Sequence, residues 1–248
     1  MDKIVIAEII SNHEIACGIF KMLLRLPDDY PCPDPGEFIN IYLNDKSRLL
    51  PRPISVCDWE EGVLTLVYAI AGSGTKILSD YGCGVKIRIS TPLGNGFLTE
   101  GTESGILVGG GVGVPPLLFL AKHLTGRVPV RVILGFRSEP FLADEFPCKA
   151  EIATDDGSAG YKGNVMDLLG MQEIPTDTKI FACGPKPMLT ALAWFAKESG
   201  LALQVSLEER MGCGYGACVG CVCKTIAGNR KICEDGPVFD GAEVVWDE

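Results

Sequence analysis

Between Met211 and Cys233 the chain reads MGCGYGACVGCVCKTIAGNRKIC, and five of its eleven cysteines fall in that stretch. Four follow the spacing Cys213-x4-Cys218-x2-Cys221, with Cys233 after eleven more residues. So much glycine and so little apolar periodicity predict a small module held together by something other than a core. Three sulfur chemistries compete. Structural zinc favours paired C-x2-C knuckles, but only one such pair is present and the x4 interval is unusual for it. A dithiol of thioredoxin type opens a helix, whereas this C-x-x-C lies in a glycine loop. The order C-x4-C-x2-C…C matches plant-type 2Fe-2S ligation. Gly212, Gly214, Gly216 and Gly220 would let such a loop turn sharply at positive φ and aim N–H groups at sulfur. His13 and His123 lie outside the module, which excludes a Rieske-type imidazole pair there. An iron–sulfur cluster is the favoured reading and zinc the alternative. Cys223 sits two residues past Cys221 and is read as a non-ligand.

The rest of the chain divides by texture. KIVIAEIISN, IACGIFKMLLRL, GEFINIYL, ISVCDWEEGVLTLVYAI and GVKIRIST are short, rich in Ile and Val, and separated by Gly, Pro, Asn and Asp. Such runs predict a small antiparallel β-barrel over residues 1–100. From about Glu103 onward apolar strands alternate with helical stretches (GILVGGGVGVPPLLFLAKHL, VPVRVILGFRS, KAEIATDDGS, TKIFACGPKPMLTALAWFAKESG, LALQVSLEERM). That alternation predicts a doubly wound parallel α/β domain over 101–207. The cysteine module then covers 208–248.

The formal net charge of -10 argues against a nucleic-acid binder, which needs a basic stripe. No apolar run is long enough to span a bilayer. MDKIVIAEII reads as a strand and not as a signal peptide, so a reducing, cytoplasmic location without disulfides is expected. Cys17, Cys32, Cys57, Cys83 and Cys148 are then expected to be small buried hydrophobes.

Two strand-to-helix turns are rich in glycine. GILVGGGVGVPP places Gly109, Gly110, Gly111 and Gly113 where a pyrophosphate could approach backbone and helix N-terminus. It does not spell the full G-x-G-x-x-G fingerprint, and a tight turn in any α/β domain is the plain alternative. FACGPKPM is a second such turn, on the same carboxyl edge of the sheet. In the barrel region, Arg52 of RPIS offers a bidentate fork for phosphate. Gly74 and Thr75 of AGSGT precede a short helix, KILSDY. A surface arginine and an ordinary turn explain these two equally well.

Together these stretches resemble the ferredoxin–NADP reductase superfamily. RPIS and GSGT look like its flavin signatures, and GGGVGVPP and CGPKPM like its pyridine-nucleotide signatures. The cysteine module with CEDGPVF, and TDDGSAGYKGNVMDLL, are similar to electron-transfer subunits of NAD-dependent (type B) dihydroorotate dehydrogenase. The resemblance covers essentially the whole chain. It implies that Arg52, Pro53, Ile54 and Ser55 line FAD, with Ser55 at the flavin N5. Ala69, Ile70 and Ala71 would pass beside the cofactor, and Gly74 and Thr75 would hold its phosphates. Gly110, Gly111, Val112 and Gly113, with Cys183, Gly184 and Pro185, would form the NAD pocket, and Cys183 joins Ser55 at the chemistry. Cys213, Cys218, Cys221 and Cys233 would bind the 2Fe-2S cluster. Asp155 and Asp156 could approach the NAD ribose, a plain turn being equally good. Arg137, Ser138 and Glu139 do not decide between NAD and NADP.

NAD exchanges electron pairs as hydride, and a cluster takes one electron at a time. A flavin between them makes a relay. No proton-transfer constellation for a carbon substrate is evident. The resemblance therefore implies a partner: an FMN-containing dihydroorotate dehydrogenase catalytic subunit, in a heterotetramer serving pyrimidine biosynthesis. Two alternatives stand beside it. One is a diaphorase subunit of a ferredoxin:NADP oxidoreductase or a hydrogenase. The other is a non-enzymatic, zinc-stabilised interaction module.

Overall fold

A computed structural model describes residues 4–45 and 47–246. Six strands close a barrel: β1 (Ile4–Ala16), β2 (Ile19–Arg25), β3 (Phe38–Tyr42), β4 (Arg52–Glu60), β5 (Val63–Ala69) and β6 (Lys86–Ser90). Their order around it is β1-β2-β5-β4-β3-β6. A short helix, α1 (Ser73–Ser79), follows β5. Ile9, Met22, Leu24, Ile39, Ile41, Leu64, Leu66 and Ile89 fill the interior with no exposed surface. Alternation along the strands turns these side chains inward and their neighbours outward. The run Ile54–Ile70, read above as one stretch, is two strands. Glu61 (φ 49°) and Gly62 (φ 78°) both take the left-handed region and make a two-residue hairpin turn between β4 and β5.

The second layer begins with β7 (Ser104–Gly110) and α2 (Val114–Leu124), then β8 (Val130–Phe136), β9 (Ala150–Thr154) and β10 (Tyr161–Lys162). It continues with α3 (Val165–Gly170), β11 (Thr178–Cys183), α4 (Lys186–Ser199) and β12 (Ala202–Ser206). β7 and β11 lie at the centre of the sheet and are apolar on both sides because both faces are covered. Leu107, Leu134 and Phe181 pack with α2, which also meets Ala16, Cys57 and Val67 of the barrel. Ile106, Val108, Ile133 and Ile180 pack on the opposite face with residues of α3 and α4. The helix α2 is thus the wedge between the two layers, and Lys122 on it is ion-paired with Asp58 of β4.

The C-terminal segment holds a hairpin, β13 (Val222–Thr225) and β14 (Gly228–Lys231), one helical turn, α5 (Ile232–Asp235), and β15 (Val238–Asp240). It does have a share in a core, contrary to the expectation from its periodicity. β15 joins the large sheet antiparallel to β12, through Gln204↔Asp240, Val205↔Phe239 and Ser206↔Val238. Cys221, Ile232, Cys233, Phe239 and Val244 belong to the same apolar cluster as the sheet residues. Tertiary pairing supplies what three-residue periodicity cannot signal. Of the five cysteines expected to be buried hydrophobes, Cys57 is buried and Cys148 half-buried. Cys17, Cys32 and Cys83 are exposed, against expectation, because each sits in a loop, the first two between strands and the third between α1 and β6. No described helix is long and apolar enough to cross a membrane.

Candidate functional site

Two cavities lie where the barrel meets the carboxyl edge of the sheet. The smaller, 250 Å³, is walled by Pro53, Ile54 and Ser55 of β4, by Ala69, Ala71 and Thr75, and by Val112, Glu208 and Met211 from the other layer. The larger, 840 Å³, is walled by Gly110, Gly111, Val112, Gly113, Gly184 and Pro185, with Ile70 from the barrel side. Arg137, Ser138, Glu139 and Asp155 line its far end. Ala69, Ala71, Val112 and Glu208 border both, so the cavities meet there. Asp156 differs from Asp155: its carboxylate accepts the Ser158 N–H at 2.9 Å and shapes a turn.

The glycines of the two edge turns fit against each other. A Cβ on Gly113 would strike the Cys183 carbonyl and lie 2.6 Å from the Gly184 nitrogen. A Cβ on Gly110 would lie 2.8 Å from both Met188 Sδ and Pro185 Cδ. Only hydrogen at these positions lets the β7–α2 and β11–α4 turns come together and leave the edge open. Gly111 takes φ 52° in the turn between β7 and α2. No side chain caps the α2 N-terminus, and its first turn offers the edge no free amide, because the Val114 N–H is bonded to the Gly111 carbonyl and Pro115 and Pro116 carry none.

Arg52 begins β4 and reaches over α1. Its guanidinium donates to the Pro51 carbonyl at 3.1 Å and has no acidic partner among the described residues. A Cβ on Gly74 would lie 2.6 Å from Arg52 Cζ and 2.7 Å from Nη2. Gly74 and Thr75 lie inside α1, in its first turn, rather than ahead of it. The Thr75 hydroxyl accepts the N–H of Ala71 (2.9 Å) and of Gly72 (3.2 Å) and so fixes the turn.

Cys183 lies behind the cavity wall rather than in it. It is 1% exposed, and burial pushes its thiol well above the ordinary range. Glu208 was not singled out from the sequence. It follows β12 at the carboxyl edge and borders both cavities. Desolvation there raises its carboxyl above the ordinary range, although one flank of the residue stays exposed. The carboxyl-edge rule for doubly wound sheets was the available signal. A raised carboxyl binds its proton more tightly in the folded chain. Its contribution to stability is present below the unfolded pKa and lost as pH rises through the folded one. Thermal midpoints of Glu208→Gln and the parent should therefore diverge as pH rises from the ordinary carboxylate range, with the variant relatively favoured. Parallel curves would contradict this.

The thiols fall in two close pairs, Cys213 with Cys218 in the loop after β12 and Cys221 with Cys233 of α5, and among the described residues no three of them are gathered around one metal-ion position. Cys221 Sγ donates to Cys233 Sγ at 3.3 Å, and both residues are buried. Cys213 Sγ accepts the N–H groups of Tyr215 and Cys218, each at 3.4 Å, and Cys233 Sγ accepts the Gly216 N–H at 3.2 Å. Burial acts to raise Cys213, but these amides and the Cys218 thiol outweigh it and lower the thiol to about 7. Burial first, and then the Cys221 thiol, push Cys233 up to about 12. Gly214 and Gly216 each have φ 75°. Gly212 and Gly220 do not take positive φ; a Cβ on Gly212 would instead crowd Cys218 Sγ at 3.3 Å. Four thiols within one short segment, two of them with amides aimed at their sulfurs, have the donor chemistry of a thiolate-bound metal cluster. Cys223 stands apart on β13, in the wall of another cavity with Lys186 and Glu209.

Residues 208–245 match the family described as the iron–sulfur cluster binding domain of dihydroorotate dehydrogenase B. The chain is 39% identical over 246 residues to the dihydroorotate dehydrogenase B (NAD(+)) electron transfer subunit of Caldanaerobacter subterraneus subsp. tengcongensis, covering 97% of this chain and 98% of that one. It is 44% identical over 225 residues to the subunit of the same name from Bacillus caldolyticus, covering 85% and 86%. Among solved structures it is similar to one of an NADH-dependent reduced ferredoxin-NADP oxidoreductase, reported for its flavin-based electron bifurcation. That similarity has a TM-score of 0.89 and 32% identity, over 98% of this chain and 91% of that one.

Proposed function

This chain belongs to the family of dihydroorotate dehydrogenase B electron transfer subunits, and from that premise we propose that it links an FMN-bearing dihydroorotate dehydrogenase subunit to NAD through a 2Fe-2S cluster and FAD. The observation that carries the reading is the line of sites. The larger cavity opens into the smaller, and Met211 in the smaller one's wall lies two residues before the first thiol. The larger cavity has room for a nicotinamide nucleotide at the sheet's glycine edge. Arg52, Gly74 and the Pro53–Ser55 strand suit a flavin with its phosphates. Cys213, Cys218, Cys221 and Cys233 suit the cluster.

When bound, the flavin supplies exchange between hydride pairs and single electrons, which NAD and a cluster cannot make directly. The chain's own residues orient and enclose. Ser55, Ala69 and Ala71 wall the place where nicotinamide and flavin ring would meet. Glu208 can hold a proton there. Ile54, Val112 and Met211 give the smaller cavity apolar wall for a ring to pack on. We place the boundaries of flavin, nucleotide and cluster regions at 100 and 207, with β15 tying the third back to the second. The assembly is a cytoplasmic heterotetramer serving pyrimidine biosynthesis.

The purified chain, loaded with FAD and iron, should reduce dyes with NADH and leave dihydroorotate untouched until the catalytic subunit is added. Dihydroorotate turnover by the chain alone would overturn the reading. A diaphorase role in a ferredoxin:NADP oxidoreductase is the second reading, favoured by the similarity at TM-score 0.89. Rescue of NAD reduction by ferredoxin in place of the dehydrogenase subunit would select it.

Gly74→Ala should separate flavin binding from folding. The added methyl displaces the mobile end of Arg52, not backbone. Charge-assisted hydrogen bonds contribute ~1.5–3 kcal/mol, so FAD affinity should fall roughly 10- to 100-fold. The thermal midpoint of flavin-free chain should hardly move, since alanine suits a helix. Unchanged affinity in a flavin titration would remove Arg52 from the phosphate site.

A further inference from the structure

β3 carries one polar side chain among apolar neighbours. Asn40 lies between Ile39 and Ile41 and has no exposed surface. Its backbone N–H donates to Ser90 Oγ at 2.9 Å. Its Nδ2 donates to the Cys213 carbonyl oxygen at 3.1 Å, across 173 residues of chain. Its Oδ1 is buried and finds no hydrogen-bond partner among the described residues. Leaving a buried acceptor unpaired costs roughly 1–3 kcal/mol. A leucine would avoid that cost, so the barrel alone gives no reason for an asparagine here.

The position explains it better. Asn40 stands opposite Pro53 in the β3–β4 register, and Phe38 stands opposite Ser55. Alternation puts Phe38, Asn40 and Tyr42 on one face, the face on which Phe38, Pro53 and Ser55 wall the smaller cavity. The cluster loop rests on that same face. A Cβ on Gly214 would lie 2.8 Å from Asn40 Oδ1, and the left-handed turn at Gly214 lays the loop on the amide. Tyr42 is hydrogen-bonded, hydroxyl to hydroxyl, to Tyr215. Three successive loop residues, Cys213 to Tyr215, are therefore seated on two residues of one barrel strand.

We propose that Asn40 is a positioning residue for electron transfer between flavin and cluster, fixing the Cys213 backbone against the strand pair that carries Pro53 and Ser55. The inference rests on the relay proposed above. Electron transfer weakens steeply with separation, so a ligand loop pinned to a sheet transfers faster than one that floats. Asn40 does this through one donated hydrogen bond and close contact, and it touches no reacting atom.

The test uses the full chain, loaded with FAD and cluster and mixed anaerobically with NADH. Flavin bleaching reports the hydride step: one proton and two electrons leave NADH together as hydride for the oxidised flavin, giving NAD⁺. Cluster bleaching reports the one electron that then moves from reduced flavin to iron. In Asn40→Leu the hydride step should stay within about twofold of the parent, while the cluster step slows by about tenfold or more, as ångström misplacements do. Asn40→His keeps a donor and should recover most of the rate. Reduced-cluster EPR lines should broaden in Asn40→Leu and sharpen again in Asn40→His. An unchanged cluster step overturns the proposal. So does a loss shared equally by both steps, or lower cofactor content with normal rates per centre, because each marks a merely structural role. If Asn40→Leu does not fold, Asn40→Ala decides, since it removes the donor with less steric change: a slowed cluster step with an unchanged hydride step supports the pin and a normal cluster step refutes it. A parent chain that binds neither flavin nor iron would instead defeat the relay itself.

Discussion

Cys221→Ser should yield a yellow protein that still reduces dyes from NADH but passes nothing to its partner. Cys221 is 1% exposed and its sulfur lies 3.3 Å from that of Cys233. A serine oxygen is a harder and shorter ligand than thiolate and suits iron in a sulfur cage poorly. Losing an outer partner of a metal site costs roughly 10–100-fold in affinity or activity, so losing a ligand should cost more than about 100-fold in partner-coupled NAD reduction. The broad cluster absorption should vanish while the flavin bands persist. Cys221 lines neither of the two cavities, so the hydride step survives. Cys223→Ser is the control, since Cys223 sits on β13 in another cavity's wall. It should keep a full complement of iron. Iron retained in Cys221→Ser but lost in Cys223→Ser would mean that the ligand set is wrong.

Gly113→Ala should have the next largest effect, on the other end of the relay. The new methyl has nowhere to go, because it meets the Cys183 carbonyl and the Gly184 nitrogen, which are backbone atoms of a central strand end. Overpacking of this kind costs about 1–3 kcal/mol in stability. The turns must also separate, which shifts the whole nucleotide edge. A displacement near 1 Å can cost about 100-fold in a reaction that depends on alignment. NADH-dependent dye reduction should therefore fall by about 100-fold while iron and flavin contents stay near the parent's. Normal turnover in this variant would show that the nicotinamide does not use this edge.

The barrel was legible because its strands alternate Ile, Val and Leu with polar residues and break at Gly, Pro and Asp. Its one hidden feature was the β4–β5 turn, where Glu61 accepts a positive φ that its residue type does not advertise. The α/β layer was legible for the same reason: apolar runs ending in glycine turns before amphipathic helices. β15 was not, because three residues acquire strand character only by pairing with β12. The iron–sulfur region was legible from its cysteine spacing, which is a local property, and the family match falls on the same residues, 208–245. Glu208 and Asn40 could not. Each matters through what the fold brings to it: two cavities in one case, a loop 173 residues away in the other. The three exposed cysteines show the same limit from the opposite side, for loop position decides exposure and residue type does not.

Analysis of iron, acid-labile sulfide, zinc and flavin in anaerobically purified full-length chain tests the centre of this account most directly. Two irons and two sulfides for each FAD, with a cluster EPR signal on reduction and no zinc, is the expected result. A folded, colourless protein carrying zinc, or no metal, at these four thiols would contradict it.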